Sequence, residues 1–229
     1  MKDAADRIVV SGVGWISGGR GGGRGRRPAR IPELGELLRD PELFAAPPRN
    51  FGRFDAGSRI ACCVCALALK DAEPGGRADR TGLLGTNENG CLETNLAYFR
   101  DYVQAGRKLA RGNLFIYTLP SSPLAETAIC FGLKGPVFYW GVPGASGRGA
   151  ALAELAGLAA DAVSRGEADG MIAVHADERA GMGLVLRRAR GTEPATWSLP
   201  WVRDRIGQAV SVDAMANALC GDAGGGQAS

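Results

Sequence analysis

Side chains that could perform covalent or acid–base chemistry are few in this sequence. Its one histidine is His175, and its six cysteines lie at positions 62, 63, 65, 91, 130 and 220. Because histidine is the commonest general base and metal ligand, a single histidine limits the available chemistry sharply. Cys62 and Cys65 have the Cys-x-x-Cys spacing of a zinc site, but no second pair exists. We therefore expect no metal, and we assign these thiols to an apolar helix in the core.

Three residues remain as weak catalytic candidates. Cys91 stands in NENGCLET, at the start of a predicted helix, a position that can favour the thiolate. We interpret it as a buried residue of the cap region and keep a reactive thiol as the alternative. Ser146 stands in PGASGRG, which is not the nucleophile elbow G-x-S-x-G, and it has no recognisable histidine or aspartate companion. His175 ends a predicted strand, where we interpret it as a structural residue and keep a role in a site as the alternative.

Two glycine-rich segments suggest ligand binding without establishing it. Gly12-Val-Gly14 follows a short strand, but Ser17 replaces the third glycine of a dinucleotide fingerprint, so we predict a tight strand exit and no cofactor. Residues 18–30, GGRGGGRGRRPAR, carry five arginines without an aromatic residue. We predict a solvated loop and consider nucleic acid an unlikely partner, with contact to RNA, to phosphate or to the acidic face of a carrier protein as alternatives.

Composition indicates one globular domain. The chain has 229 residues, of which 45% are apolar and 22% charged, and its net charge is +3. These values exclude a disordered chain and are weak support for a polyanionic partner. No apolar run is long enough to span a membrane, and the first residues lack the apolar core of a signal peptide. We expect a cytoplasmic protein.

Apolar runs and turn residues predict alternating strands and helices. This alternation is typical of a layered α/β sheet that is mainly parallel. The segment from Gly191 is less regular, and we expect residues 221–229 to be disordered. The predicted strands and helices are, in chain order, strand 7–11, a short helix 32–39, helix 58–72, strand 81–86, helix 92–105, a helix from Ser121 or Ser122 to about 131, strand 137–142, helix 150–164, strand 168–175, strand 183–188 and a short helix 210–219.

The helix at 150–164, AALAELAGLAADAVS, is apolar on nearly every side. Its only charged residues are Glu154 and Asp161, which share one stripe. Such a helix must be covered nearly all round, and a single sheet covers only one side. We therefore predict a second covering layer, supplied either by the rest of this chain or by a second subunit.

Five segments in order resemble β-ketoacyl synthases, the condensing enzymes of fatty-acid and polyketide assembly. They are RIVVSGVGWIS, ALALKDA, ETAICFGLKGPVFYW, SRGEADGMIAVHADE and GMGLVLRRA, within residues 7–190. The resemblance implies half of a thiolase-type fold: a mixed, mainly parallel five-stranded sheet with helices on both faces. It also implies a synthase-like domain over residues 1–190 and a homodimer or a heterodimer with a ketosynthase. The irregular sequence from Gly191 predicts an irregular extension over 191–229 with a disordered tail.

Departures from the family pattern argue against condensing activity. The family nucleophile is a cysteine between the Gly-Pro strand and the next helix, but WGVPGASGRGAA contains none. The nucleophile position falls at Gly144 or near Gly149, depending on the direction of counting. His175 matches neither of the family's catalytic histidines, which lie in the absent second half. We assign acyl or partner binding to Gly144, Ala145, Ser146 and Gly147.

The sequence therefore predicts a non-condensing β-ketoacyl-synthase-like subunit that binds an acyl carrier protein or a partner synthase. One alternative is an active synthase, an acyltransferase, completed by a partner chain or by a residue such as Ser146 or Cys91. The other alternative is a non-enzymatic binding protein that uses the Gly/Arg loop.

Overall fold

The computed structural model describes residues 7–24, 29–31, 33–44, 46–72, 80–107, 112–142, 147–189 and 197–220. Within these ranges no helix has the length and apolarity needed to cross a membrane. The strands are β1 (Ile8–Ser17), β2 (Arg20–Gly22), β3 (Ala29–Arg30), β4 (Thr81–Thr86), β5 (Val137–Tyr139), β6 (Gly170–Ala176), β7 (Gly181–Arg188) and β8 (Trp197–Ser198). The helices are α1 (Leu34–Leu37), α2 (Ala56–Asp71), α3 (Leu92–Gln104), α4 (Gly112–Ile116), α5 (Ser122–Phe131), α6 (Arg148–Ser164), α7 (Leu199–Gly207) and α8 (Val212–Cys220).

Five strands form the centre of one mixed sheet, in the order β1-β7-β6-β4-β5, and the short strands β2, β3 and β8 extend it. The mixed five-stranded core confirms the prediction, but "mainly parallel" is wrong. β4 pairs in parallel with β5 and β6, whereas β6–β7 and β7–β1 are antiparallel. The loop between β6 and β7 is too short for the crossover that a parallel pair requires, so these strands form a hairpin.

Helices cover both faces of the sheet, as predicted. Alternating side chains of each strand enter two separate apolar clusters, which follows from the two-residue period of a strand. On β6, Met171 and Ala173 face one cluster, and Ile172 and Val174 face the other. The first cluster contains α6, α7 and α8, and the second contains α2 and residues of α5.

The glycines of the Gly-Val-Gly segment lie inside β1, which corrects the prediction of a strand exit. β1 runs to Ser17, with an irregularity in its pairing between Val10 and Gly12. A Cβ atom at Gly12 would collide with the Ala68 carbonyl oxygen of α2, and one at Gly14 with the Val64 carbonyl oxygen. The glycines therefore allow the α2 backbone to lie directly on the strand, a packing role that needs no ligand.

Part of the Gly/Arg segment is sheet, so the predicted solvated loop needs correction. β2 pairs antiparallel with β1, and β3 pairs with β2. Arg24 leaves this hairpin to bind Asp71 at the end of α2, with 2.9 Å between Nε and Oδ2, and it stacks on Trp197 at 5.7 Å. This arginine is committed to the fold, and residues 25–28 lie outside the described ranges.

The nearly all-apolar helix α6 is covered on both sides, as its sequence required. Its outward residues Glu154, Asp161 and Ser164 remain exposed, and ten of its residues are buried. The second layer consists of α7 and α8 of the same chain. The prediction of an irregular extension is therefore wrong over α7, whereas the short helix predicted over 210–219 corresponds to α8. Ser198 caps α7 by accepting the Trp201 N–H, and apolar spacing in both helices supplies the packing face.

Candidate functional site

The candidate site lies where β4 and β6 end. These strands are parallel neighbours, with Thr86 opposite His175, so their carboxyl ends meet at one edge of the sheet. The first residue of α6, Arg148, and the first turn of α3 reach the same edge. A cavity of about 550 Å³ lies between them. In α/β sheets such an edge is the usual place for a ligand.

Arg148 joins the loops that follow the two strands. Its Nε lies 2.9 Å from Oδ2 of Asp177, and its Nη2 lies 2.6 Å from Oε2 of Glu88. The backbone N–H of Glu88 donates to Oδ1 of Asp177 at 3.0 Å. This network fixes the geometry of the cavity wall, because a planar guanidinium holds both carboxylates in set directions. The guanidinium of Arg148 is therefore already paired with the carboxylates of Glu88 and Asp177.

His175 is buried beneath this network. Its Nδ1 lies 3.7 Å from Oδ2 of Asp177, and no residue of the described ranges hydrogen-bonds to it. Burial lowers the pKa of His175, the attraction of Asp177 opposes that shift, and the positive charge of Arg148 adds to it. His175 is therefore a neutral imidazole near pH 7. His175 lies behind the residues of the cavity wall and does not itself line the cavity.

Cys91 lines the cavity at the N-cap of α3, but the structure disfavours the thiolate that its position suggested. Burial raises the pKa of Cys91 to about 11, and the negative charges of Asp55 and Glu178 raise it further. A helix N-terminus lowers a thiol pKa only when other charges do not outweigh it. At neutral pH, Cys91 is therefore a protonated thiol.

The cavity is acidic overall. Its lining includes five carboxylates and two arginines, one of them the engaged Arg148. Burial raises the pKa of Glu178, and the neighbouring Glu93 and Asp55 raise it further. An enolate or oxyanion intermediate needs donors at this position, and such a lining repels it. No group of three or more potential metal ligands occurs in the described part of the chain.

The N-terminus of α6 is closed by the turn between α7 and α8. The Gly149 N–H donates to the Ala209 carbonyl oxygen at 2.9 Å. A Cβ atom at Gly149 would collide with the Ile206 carbonyl oxygen and lie 2.6 Å from that of Ala209. Position 149, one of the two predicted nucleophile positions, thus has no room for any side chain.

The predicted glycine-rich binding segment is described only at its end. Gly147 is the N-cap of α6, with a positive φ of 153°, and it faces Ala209 and Val210. Gly144, Ala145 and Ser146 lie outside the described ranges, so their proposed roles stay predictions.

Of the predicted site residues, the structure brings Cys91 and His175 to the same edge. Reasoning from sequence missed Arg148, Asp177 and Glu88. A signal was present: Asp177 directly follows the buried strand β6, Glu88 comes two residues after the buried strand β4, and Arg148 opens an alanine-rich helix.

A separate apolar surface surrounds the edge strand β5, and we call it the β5 edge. Within the described ranges β5 pairs only with β4, so its other side presents unpaired backbone groups. Phe138 and Trp140 on this strand segment and Ile129 on α5 are exposed. An unpaired edge beside exposed apolar side chains is typical of a protein–protein contact.

A mixed five-stranded sheet between two helical layers, with a site at the strand ends, defines the class of this protein as a thiolase-type α/β half-fold. A family model, "Beta-ketoacyl synthase, N-terminal domain", matches residues 23–190. The chain therefore belongs to the β-ketoacyl synthase family, and the resemblance drawn from its sequence is confirmed.

Solved structures share this fold at low identity. One is described as the ishigamide ketosynthase/chain length factor, with 16% identity, a TM-score of 0.58, and coverage of 82% of this chain and 64% of that one. A β-ketoacyl synthase from Burkholderia phymatum STM815 has 18% identity, a TM-score of 0.54, and coverage of 80% and 59%. A type II PKS acyl-carrier protein in complex with its ketosynthase bound to the hexaketide has 14% identity, a TM-score of 0.57, and coverage of 80% and 62%.

The chain spans less than two thirds of the length of each of these three structures. A comparison with curated proteins found no match.

Proposed function

We propose that this chain is a non-condensing β-ketoacyl-synthase-like subunit that acts in fatty-acid or polyketide assembly by binding a partner ketosynthase or an acyl carrier protein. The observation that carries the proposal is the closed N-terminus of α6. There the Ala209 carbonyl oxygen accepts a hydrogen bond from the Gly149 N–H. The carbonyl oxygens of Ile206 and Ala209 occupy the space that a side chain at position 149 would need.

Decarboxylative condensation needs a thiolate to carry the acyl group and donors to stabilise an enolate. The segment 140–151 contains no cysteine. The thiol of Cys91 is protonated at neutral pH, and the cavity beside it is acidic. These features support a role without an acyl-enzyme.

The β5 edge is our proposed docking surface for a ketosynthase. Because α7 and α8 already cover α6, that helix leaves little surface for a partner, whereas β5 keeps an unpaired side and exposed aromatic rings. The relatives described as a ketosynthase/chain length factor and as a carrier protein with its ketosynthase support these two classes of partner.

The test uses the full chain with a reactive acyl thioester of an acyl carrier protein, followed by intact-mass measurement. We expect carrier or ketosynthase binding without covalent label. An acyl adduct on this chain would instead establish an active synthase. Failure to bind either protein, with no label, would favour a binding protein of another kind.

Variants locate the surface. Phe138→Glu places a charge on the β5 edge and should weaken ketosynthase binding at least about 10-fold. Ser164→Glu, at the exposed end of α6, adds the same charge elsewhere and should leave binding unchanged. Equal loss in both variants, or in neither, would remove the β5 edge from the proposal.

A further inference from the structure

Four of the six cysteines lie together between α2 and α5. Cys62, Cys63 and Cys65 on α2 are fully buried in the second apolar cluster, and Cys130 on α5 packs against the same cluster. All four are free thiols. An apolar core can hold thiols as small hydrophobic groups, but two thiols in contact across two helices can also react with each other.

Cys62 faces away from the sheet. The sheet side of α2 is marked by Val64 and Ala68, which lie against Gly183 of β7. Cys62 is two residues from Val64 and therefore about half a turn round the helix. Its side chain is nonetheless fully buried, since α5 packs against α2. The contact between the helices is direct at this point, because the Cys62 thiol hydrogen-bonds to the sulfur of Cys130.

The two thiols of this pair have different environments. Cys130 is only half-buried, whereas Cys62 has no exposed surface. The hydrogen bond from Cys62 lowers the pKa of Cys130, while burial and the negative charge of Glu126 oppose that shift. The same hydrogen bond raises the pKa of Cys62, and burial and the neighbouring thiols add to the shift. The sulfur with more thiolate character is therefore also the one that solvent reaches.

This arrangement is that of a redox-active pair. Oxidants react first with a cysteine that is accessible and has thiolate character, and a second thiol beside it then resolves the product as a disulfide. Cys130 meets the first requirement and Cys62 the second. Because the two sulfurs are already hydrogen-bonded, they need only a small further approach to reach the S–S bond length of about 2.05 Å.

We propose that Cys130 and Cys62 form a reversible disulfide when the protein meets a hydroperoxide, and that this bond ties α5 to α2. The Cys130 thiolate attacks one oxygen of hydrogen peroxide, the O–O bond breaks, and the leaving hydroxide takes up a proton as water. The Cys62 sulfur then attacks the sulfenic acid on Cys130, and the S–O bond breaks as the Cys62 proton leaves with the hydroxide as a second water. The two thiols lose the two electrons that the peroxide gains.

The bond has a structural consequence that is independent of the proposed function. It closes a loop of about 70 residues, which contains β4, α3 and α4. A link across a loop of this length restricts the unfolded chain and so stabilises the folded one. The oxidised protein should therefore be more stable than the reduced protein.

The first test locates the bond in the full wild-type chain. The folded protein is treated with hydrogen peroxide, its remaining thiols are alkylated after unfolding, and its tryptic peptides are mapped by mass spectrometry. Trypsin releases Cys62 in peptide 60–70 and Cys130 in peptide 112–134. We expect these two peptides to be joined, and dithiothreitol to separate them. A sulfenic acid on Cys130 without joined peptides, or joined peptides that contain other cysteines instead, overturns the proposal.

Peptide 60–70 also contains Cys63 and Cys65, so variants identify the partner sulfur. Cys62→Ala should lose the joined peptides and leave Cys130 as a sulfenic acid that dimedone traps. Cys63→Ala is the matched control, because it removes a buried thiol from the neighbouring position of the same helix, and it should keep the link. A link that persists in Cys62→Ala, or that disappears only in Cys63→Ala, refutes the pairing.

The last test measures the effect of the bond on stability. Oxidation should raise the Tm of the wild type by roughly 4–16 °C, and dithiothreitol should reverse the rise. Cys130→Ser changes a half-buried thiol to a hydroxyl of similar size and should show no such rise. An unchanged Tm in the oxidised wild type, or an equal rise in Cys130→Ser, would show that this bond does not tie the two helices together.

Discussion

Gly149→Ala tests the closure of the α6 N-terminus most directly. The new methyl group would collide with the Ile206 carbonyl oxygen and crowd that of Ala209, and both are backbone atoms of the α7–α8 region. Overpacking of this kind costs about 1–3 kcal/mol. Displacing the turn also weakens the Gly149–Ala209 hydrogen bond, which is worth about 1 kcal/mol. The gain in helix propensity over glycine offsets at most about 1 kcal/mol.

The net expectation is a loss of about 1–3 kcal/mol in the free energy of unfolding, because the collision outweighs the propensity gain. For a chain of this size that corresponds to a fall in Tm of roughly 2–12 °C, measured by calorimetry or circular dichroism.

Gly157→Ala on the same helix is the matched control. There the methyl group would meet only the guanidinium end of Arg203, at 3.3 Å, and this flexible side chain can move. We expect Gly157→Ala to be neutral or to gain up to about 1 kcal/mol from helix propensity. Equal Tm values for Gly149→Ala and the wild type would show that the turn does not close on α6. A larger loss in Gly157→Ala than in Gly149→Ala would refute the packing argument as a whole.

Three further predictions concern buried or engaged charges. Arg148→Met leaves two carboxylates facing each other without their cation, so we expect a loss of about 1–3 kcal/mol in urea unfolding. The same variant should raise the pKa of His175 in an NMR titration, since Arg148 lowers it, and an unchanged pKa would contradict the described geometry. The folded-state pKa of His175 lies below its ordinary value of 6.5, so the unfolded chain binds the proton first and stability should fall as pH drops below about 6.5. His175→Gln should flatten that slope below about pH 6.5, and a slope that persists unchanged would assign it to other groups. Asp71→Ala removes the acceptor of the Val13 N–H and the partner of Arg24, and thermal unfolding should show a loss of about 3–5 kcal/mol, whereas a loss below about 1 kcal/mol would refute the pairing.

Local patterns were enough to predict most of the core. β4 was predicted at its observed bounds, and α2, α3 and α6 within a few residues, because their periodicity and caps act over short distances. β1 was predicted too short, since Gly12 and Gly14 are typical of turns. Only the approach of the α2 backbone explains why glycines occupy a central strand.

The candidate site depends on contacts that short-range patterns do not encode. Arg148, Asp177 and Glu88 come from three separate segments, and parallel pairing of β4 with β6 brings the strand ends together. The raised pKa of Cys91 has the same origin, because its burial and the approach of Asp55 and Glu178 arise only in the folded chain. A helix start alone therefore does not determine the protonation state of Cys91.

The amino-acid sequence by itself determined that residues 150–164 form a helix requiring cover on nearly every side, since alanine, leucine and glycine surround its axis. Only the tertiary structure decided that α7 and α8 of the same chain provide the cover, and that their turn occupies the place of a side chain at Gly149. The need to bury apolar surface is a property of local composition, but the identity of the covering segment is set by long-range packing.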